Sequence, residues 1–276
     1  MKKGLLLCAV LACLSSAAQD YVLVWSDEFE GEGKPSEANW SYEEGFVRNE
    51  ELQWYQPDNA WLHDGLLVIE ARPEQRANPL YEEGSRDWRK SRQAIECTSA
   101  ALESRGKFEF CFGRVEVRAR IPLAKGAWPA IWTLGTQGEW PSNGEIDIME
   151  FYRLQGEPVI MANAAWAAEQ RWNAHWQSVA TPFTHFLGLD PDWGSEFHVW
   201  RMDWTEDYIR LYLDDELLNE IDLSKTINQT DGRNPFHSPH YLLLNLAVGG
   251  QNGGPVSADA YPIRYEVDYV RVYQQQ

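Results

Sequence analysis

The hexapeptide Glu145-Ile146-Asp147-Ile148-Met149-Glu150 constrains the fold more than any other stretch of the chain. Apolar and acidic residues alternate, and Ile and Met in that pattern read as a β-strand with successive side chains on opposite faces. Glu145 and Asp147 then share one face. Glu150 falls out of phase, and one extra residue, a β-bulge, returns it to the carboxylate side. Like charges on one sheet face repel, so a strand that keeps three of them has a use for them. A lone acidic residue on a strand ordinarily faces water. This triplet is flanked instead by Trp140-Pro141, Gly144 and Phe151-Tyr152, neighbours that suit the floor of a cleft. Two carboxylates held on one face are the equipment of glycoside hydrolysis.

The chain opens with Met1-Lys2-Lys3, an apolar run from Gly4 to Leu14, then Ser15-Ser16-Ala17-Ala18. That order reads as a secretory signal peptide over residues 1–18, too short to remain as a membrane span. Val10-Leu11-Ala12-Cys13 also resembles a bacterial lipoprotein box, which would make Cys13 a lipid anchor. Both readings stay open. Either one exports the protein from a bacterial-type cell, to the periplasm, the medium or the outer membrane. No other stretch is apolar enough to be transmembrane. The net charge of −18 becomes −20 once Lys2 and Lys3 are removed. Such a surface argues against nucleic acid and anionic membranes as partners, and a neutral substrate fits it. Cys97 and Cys111 either pair in an oxidising compartment or stand as two buried thiols. No Cys/His spacing reads as a zinc site, and His237 and His240 read as loop residues.

Residues 19–276 form one domain in this reading, without linker, low-complexity run or repeat. Strand character recurs at Leu66–Ala71, Phe108–Ile121, Glu145–Phe151, Glu196–Trp204, Tyr208–Leu213, Tyr241–Val248 and Glu266–Tyr273. Turn signals sit between, as at His63-Asp64-Gly65, Asp214-Asp215 and the Gly-rich run from Gly249 to Gly254. Many strands and no long helical periodicity predict an all-β sandwich of two antiparallel sheets. The stretch from Ala162 to His185, rich in Trp and Asn, reads as a long surface loop. Trp25 and Trp40 read as structural. Trp128, Trp132, Trp140, Trp166, Trp172 and Trp176 cluster around the acidic strand. Flat amphipathic rings suit the apolar faces and polar edges of a pyranose, and core packing is the competing use.

These residues resemble glycoside hydrolase family 16, in its laminarinase-like and endo-β-galactosidase-like branch. The resemblance rests on Trp25-Ser26-Asp27-Glu28-Phe29, Gly113-Arg114-Val115-Glu116-Val117-Arg118, Trp128-Pro129-Ala130-Ile131-Trp132, the run from Gly144 to Glu150, the run from Asn245 to Gly250, and the run from Val267 to Tyr273. It implies a β-jelly-roll sandwich with a concave cleft and a retaining mechanism, with Glu145 as nucleophile, Glu150 as acid/base and Asp147 assisting. The spacing allows it too. A rise of about 3.3 Å per residue puts the two Glu backbones roughly 13–16 Å apart, and inward-leaning side chains could approach the about 5–5.5 Å of retaining enzymes. The resemblance further implies that Trp128, Trp132, Trp140, Trp166, Asn59 and Asn245 bind substrate. No cofactor serves catalysis. A structural Ca²⁺ held by Glu28, the Gly65 backbone and Asp268 is implied.

One segment departs from the family pattern. Ala165 stands where laminarinases usually carry a histidine, and Trp166 follows it. The expected activity is therefore a secreted endo-β-galactosidase on poly-lactosamine mucin-type O-glycans, acting as a monomer. An endo-β-1,3-glucanase or an algal galactanase is the alternative, and a non-catalytic carbohydrate-binding protein is the alternative of a different class.

Overall fold

A computed structural model describes residues 21–276. The signal segment 1–18 and Cys13 lie outside the described residues. The chain folds into a two-sheet β-jelly-roll sandwich. One sheet runs, in spatial order, Ala174–Pro182, Glu157–Ala167, Glu145–Leu154, Ala127–Gly135, His240–Val248, Ala101–Glu103 and Ser41–Tyr42. The other runs Glu216–Asp222, Tyr208–Leu213, His198–Trp204, Gly113–Arg120, Ile263–Gln275, Leu66–Ala77, Ala94–Ser99 and Gln53–Tyr55. Tyr21–Asp27 adds to Ile263–Gln275, and Ala60–His63 to Leu66–Ala77. Pairing is antiparallel except where Gln53–Tyr55 meets Ala94–Ser99 in parallel.

Alternation explains the sheets. In Gly113–Arg120, Val115, Val117 and Ala119 enter the core while Arg114, Glu116, Arg118 and Arg120 face outward. His240–Val248 is buried at every position. Its even-numbered apolar residues Leu242, Leu244, Leu246 and Val248 join the main core. Its odd-numbered residues meet side chains on the other face, where Tyr241 and Leu243 pack with Trp132 and Ala247 packs with Trp128.

The expected bulge is present. Asp147 sits opposite Asn163 and Glu150 opposite Met161, three steps against two. Ile148 and Met149, consecutive in sequence, are both fully buried in the core. Burying two such side chains is worth about 1.5–3 kcal/mol each, which holds the register that turns Glu150 back to the carboxylate face. Gly144, at φ +79°, leads into the strand, and a Cβ there would meet Pro235 at 2.8 Å.

Three sequence expectations need correction. The stretch from Ala162 to His185 is not a loop. Glu157–Ala167 pairs with Ala174–Pro182 as a hairpin, and Phe183–Leu189 is a short helix. The first of these strands hides its alternation because both faces are covered, and the second is a polar edge strand. The strand expected from Phe108 begins at Gly113, because Phe112 and Gly113 take φ of +60° and +119°. His240 is no loop residue. It opens a central strand, fully buried, its Nδ1 2.9 Å from Thr133 Oγ1. Cys97 and Cys111 are separate thiols. Trp40 is buried and Trp25 packs edge-on to it, as expected of structural residues. Among the described residues no helix is long and apolar enough to cross a membrane.

Candidate active site

A cleft of about 860 Å³ crosses the first sheet. Glu145, Asp147 and Glu150 line its middle, with the bulge placing all three on one face. Each outer carboxylate is held by an indole N–H. Trp140, on the loop before the strand, donates to Glu145 Oε2 at 2.8 Å. Trp128, on the neighbouring strand, donates to Glu150 Oε1 at 2.8 Å. Asn163, across the other edge, donates its amide to Glu150 Oε2 at 3.0 Å and to Asp147 Oδ2 at 3.1 Å. Both tryptophans therefore fix a carboxylate as well as presenting a ring.

Burial raises all three acids, and their surroundings then separate them. Glu150 is pushed up to about 7, by burial first and by the charge of Glu145, against the pull of the Trp128 N–H. Asp147 is raised well above the usual carboxylate range, by burial and then by the charges of Glu150 and Glu145. Glu145 is also raised by burial, but the Trp140 N–H, the Arg48 guanidinium and Asp147 all favour its anion. A protonated Asp147 donating to ionised Glu145 satisfies both groups. The row thus offers an anion at Glu145 and an exchangeable proton at Glu150, a division of labour suited to acid and nucleophile.

The two flanks of the cleft differ. Toward His240–Val248, Trp132 donates to Asn245 Oδ1 at 2.7 Å, and Asn245 donates to Tyr55 Oη at 3.0 Å. Arg48 lies 5.0 Å from the Trp132 ring centroid. Toward Ala174–Pro182, Ala165 sits opposite Glu145 and Trp176 opposite Ala165. Trp176 and Trp172 are about half exposed, and Trp176 lies 6.5 Å from Trp140 between ring centroids.

A family description, Glycosyl hydrolases family 16, matches residues 74–271. The chain belongs to glycoside hydrolase family 16. It is an endo-acting glycoside hydrolase whose substrate is a glycan. A β-glucanase of Rhodothermus marinus is 37% identical to this family 16 enzyme, over 94% of this chain and 87% of that protein. A structure solved in work on endo-acting O-glycanases, which prominent human gut microbiota express to initiate mucin breakdown, is 36% identical. It covers 93% of this chain and 91% of that one, with a TM-score of 0.82. A keratan-sulfate endo-1,4-β-galactosidase of Sphingobacterium multivorum is 29% identical over 96% of this chain, which spans 58% of that longer protein.

Of the residues expected to bind substrate in the family 16 enzyme, Trp128, Trp132, Trp140 and Asn245 line the cleft. Trp166 does not. Strand alternation turns it to the core side, where it packs against Phe236. Asn59 is likewise displaced from the expectation. It is fully buried, donating to the Glu70 carbonyl at 2.7 Å and to Thr98 Oγ1 at 3.1 Å, and so ties strands of the other sheet together.

The calcium expectation meets occupied ligands. Arg271 donates to both oxygens of Glu28, at 3.0 and 2.7 Å, and Arg118 pairs with Asp268. A Ca²⁺ at this place would have to displace the Arg271 and Arg118 guanidiniums from its two side-chain ligands. Sequence reasoning also missed Asn163 and Arg48. Asn163 becomes findable only once its strand is paired, since it lies directly opposite Asp147.

Proposed function

We propose that the enzyme is a retaining endo-β-galactosidase acting on poly-lactosamine mucin-type O-glycans. The carboxylate row carries the chemistry. Glu150 gives its proton to the glycosidic oxygen as the C–O bond breaks, and the leaving chain departs as an alcohol. Glu145 forms an ester with the anomeric carbon in the same step. Water then attacks that carbon while Glu150 takes its proton, and Glu145 leaves as the carboxylate. Two inversions return the β configuration. Asp147 holds a proton against Glu145 and steadies its charge. The Trp132 and Asn245 flank takes the donor sugars, and the Trp140 and Trp176 flank the acceptor.

Ala165 is the observation that supports galactose. Where a histidine would offer a polar ring, a methyl group sits beside Glu145 with Trp140 and Trp176 around it. The axial 4-hydroxyl of galactose leaves the opposite sugar face a continuous C–H patch, which suits stacking on indole. The O-glycanase and keratan-sulfate relatives add support. A substrate of this size stays outside a cell, so the reading also has the enzyme exported. The β-glucanase relative keeps a second reading alive, endo-β-1,3-glucanase activity. Mass spectrometry of products from mucin O-glycans and from laminarin separates them. Oligosaccharides with reducing-end galactose, from mucin alone, are expected. Glucose oligomers from laminarin alone would overturn the galactosidase reading.

A further inference from the structure

Behind Trp140 and Trp172 lies a second cavity, of about 230 Å³. Those two indoles are common to it and to the main cleft, and so form the partition between them. Pro141 and Ala167 add to its apolar lining, and polar groups stand at the rim. Arg171 Nη2 donates to both oxygens of Glu139 at 2.9 Å. The Arg171 guanidinium carbon also lies 4.9 Å from the Trp172 ring centroid. The Ser142 and Thr230 hydroxyls are 3.2 Å apart at the same cavity. The mechanism above uses none of these four residues.

The composition is that of a sugar site, with indole faces for C–H groups and hydroxyls and an ion pair for hydroxyl edges. At about 230 Å³ it has room for one ring. Charge narrows the ligand further. Glu139 and Arg171 neutralise each other, so a sulfate or carboxylate would find no free cation there and would meet an acidic neighbour. We propose that this cavity receives a single neutral pyranose, a hexose or N-acetylhexosamine, branching from the acceptor-side sugar, so that the enzyme accepts chains branched one residue beyond the scissile bond. The proposal rests on the assignment of the acceptor flank above, and on galactose only for the choice of backbone.

The test uses two rim positions, Thr230 and Gln170, both exposed and outside the main cleft. Thr230→Trp and Gln170→Trp place an indole in the cavity from different sides. Hydrolysis is measured on a linear poly-lactosamine oligosaccharide and on the same backbone carrying one neutral branch on the acceptor-side residue. If the main chain is not cleaved, the pair is remade on a β-1,3-glucan backbone, so that a wrong backbone sugar is not mistaken for an unused cavity. The expected result is a fall of tenfold or more in kcat/KM for the branched substrate, with the linear one changing less than about twofold, for at least one variant of unaltered melting temperature. Equal losses on both substrates, or no change on either, would overturn the proposal.

Discussion

Replacing Glu150 by Gln should make the protein more stable at alkaline pH while disabling it. The Glu150 carboxyl is raised from 4.5 to about 7 in the folded state. Between those values the fold holds a proton that the unfolded chain has released, so this group's contribution falls as pH rises through that window. At about 1.4 kcal/mol per unit, the wild-type fold loses about 3 kcal/mol by pH 8. A neutral Gln of the same shape removes that loss. The Trp128 N–H keeps an amide oxygen to meet, and Asn163 Oδ1, which lacks a partner, can accept from the new amide if Asn163 turns over, at the cost of its N–H to Asp147 Oδ2, which takes part of the gain back. For a chain of this size the gain corresponds to on the order of 5–10 °C in melting temperature at pH 8. At pH 5, where folded Glu150 is already protonated, it shrinks to about 1 kcal/mol. The assay is calorimetry of both proteins at pH 5 and pH 8, with turnover measured alongside. A variant that gains the same increment at both pH values, or loses stability at pH 8, would refute the reasoning.

Three further outcomes follow from the same structure. Trp128→Phe removes an N–H that lowers the Glu150 pKa, and Trp140→Phe removes one that lowers the Glu145 pKa. In pH profiles of kcat/KM, the first should move the alkaline limb upward, and the second should move the acid limb upward. Asn59→Ala should cost about 1–3 kcal/mol in denaturant unfolding, because the Glu70 carbonyl and Thr98 lose a buried donor, with KM unchanged. Deleting Met149 should remove the bulge yet keep Glu150 on the carboxylate face, because plain alternation from Asp147 through Ile148 returns it there; product assays on the fraction that circular dichroism shows folded should therefore register retained activity.

The carboxylate row was legible because it is local. Alternation and one bulge follow from six neighbouring residues, and the strand Tyr208–Leu213 was legible for the same reason. Legibility failed where tertiary cover erased the pattern. Glu157–Ala167 is buried on both faces, so its small and apolar residues show no period, and Asn163 stayed hidden with it. Asn59 and Trp166 were carried over by resemblance, and their true faces depend on packing that no local pattern records. Around Glu28 and Asp268 the local pattern was silent in another way, since their ion-pair partners Arg271 and Arg118 come from distant chain positions.

Trp176 sits on the outermost strand of the sheet, hydrogen-bonded to a neighbour on one side only, and Trp172 lies in the hairpin turn leading to it. The reactive carboxylates sit two strands inward, on a strand whose other face is the hydrophobic core. Under the proposed acceptor flank, choice of sugar and bond-breaking are therefore housed in different parts of the sheet, one at its edge and one at its centre. The outer hairpin can be lengthened, shortened or repopulated with other rings while the machinery beside it stays intact.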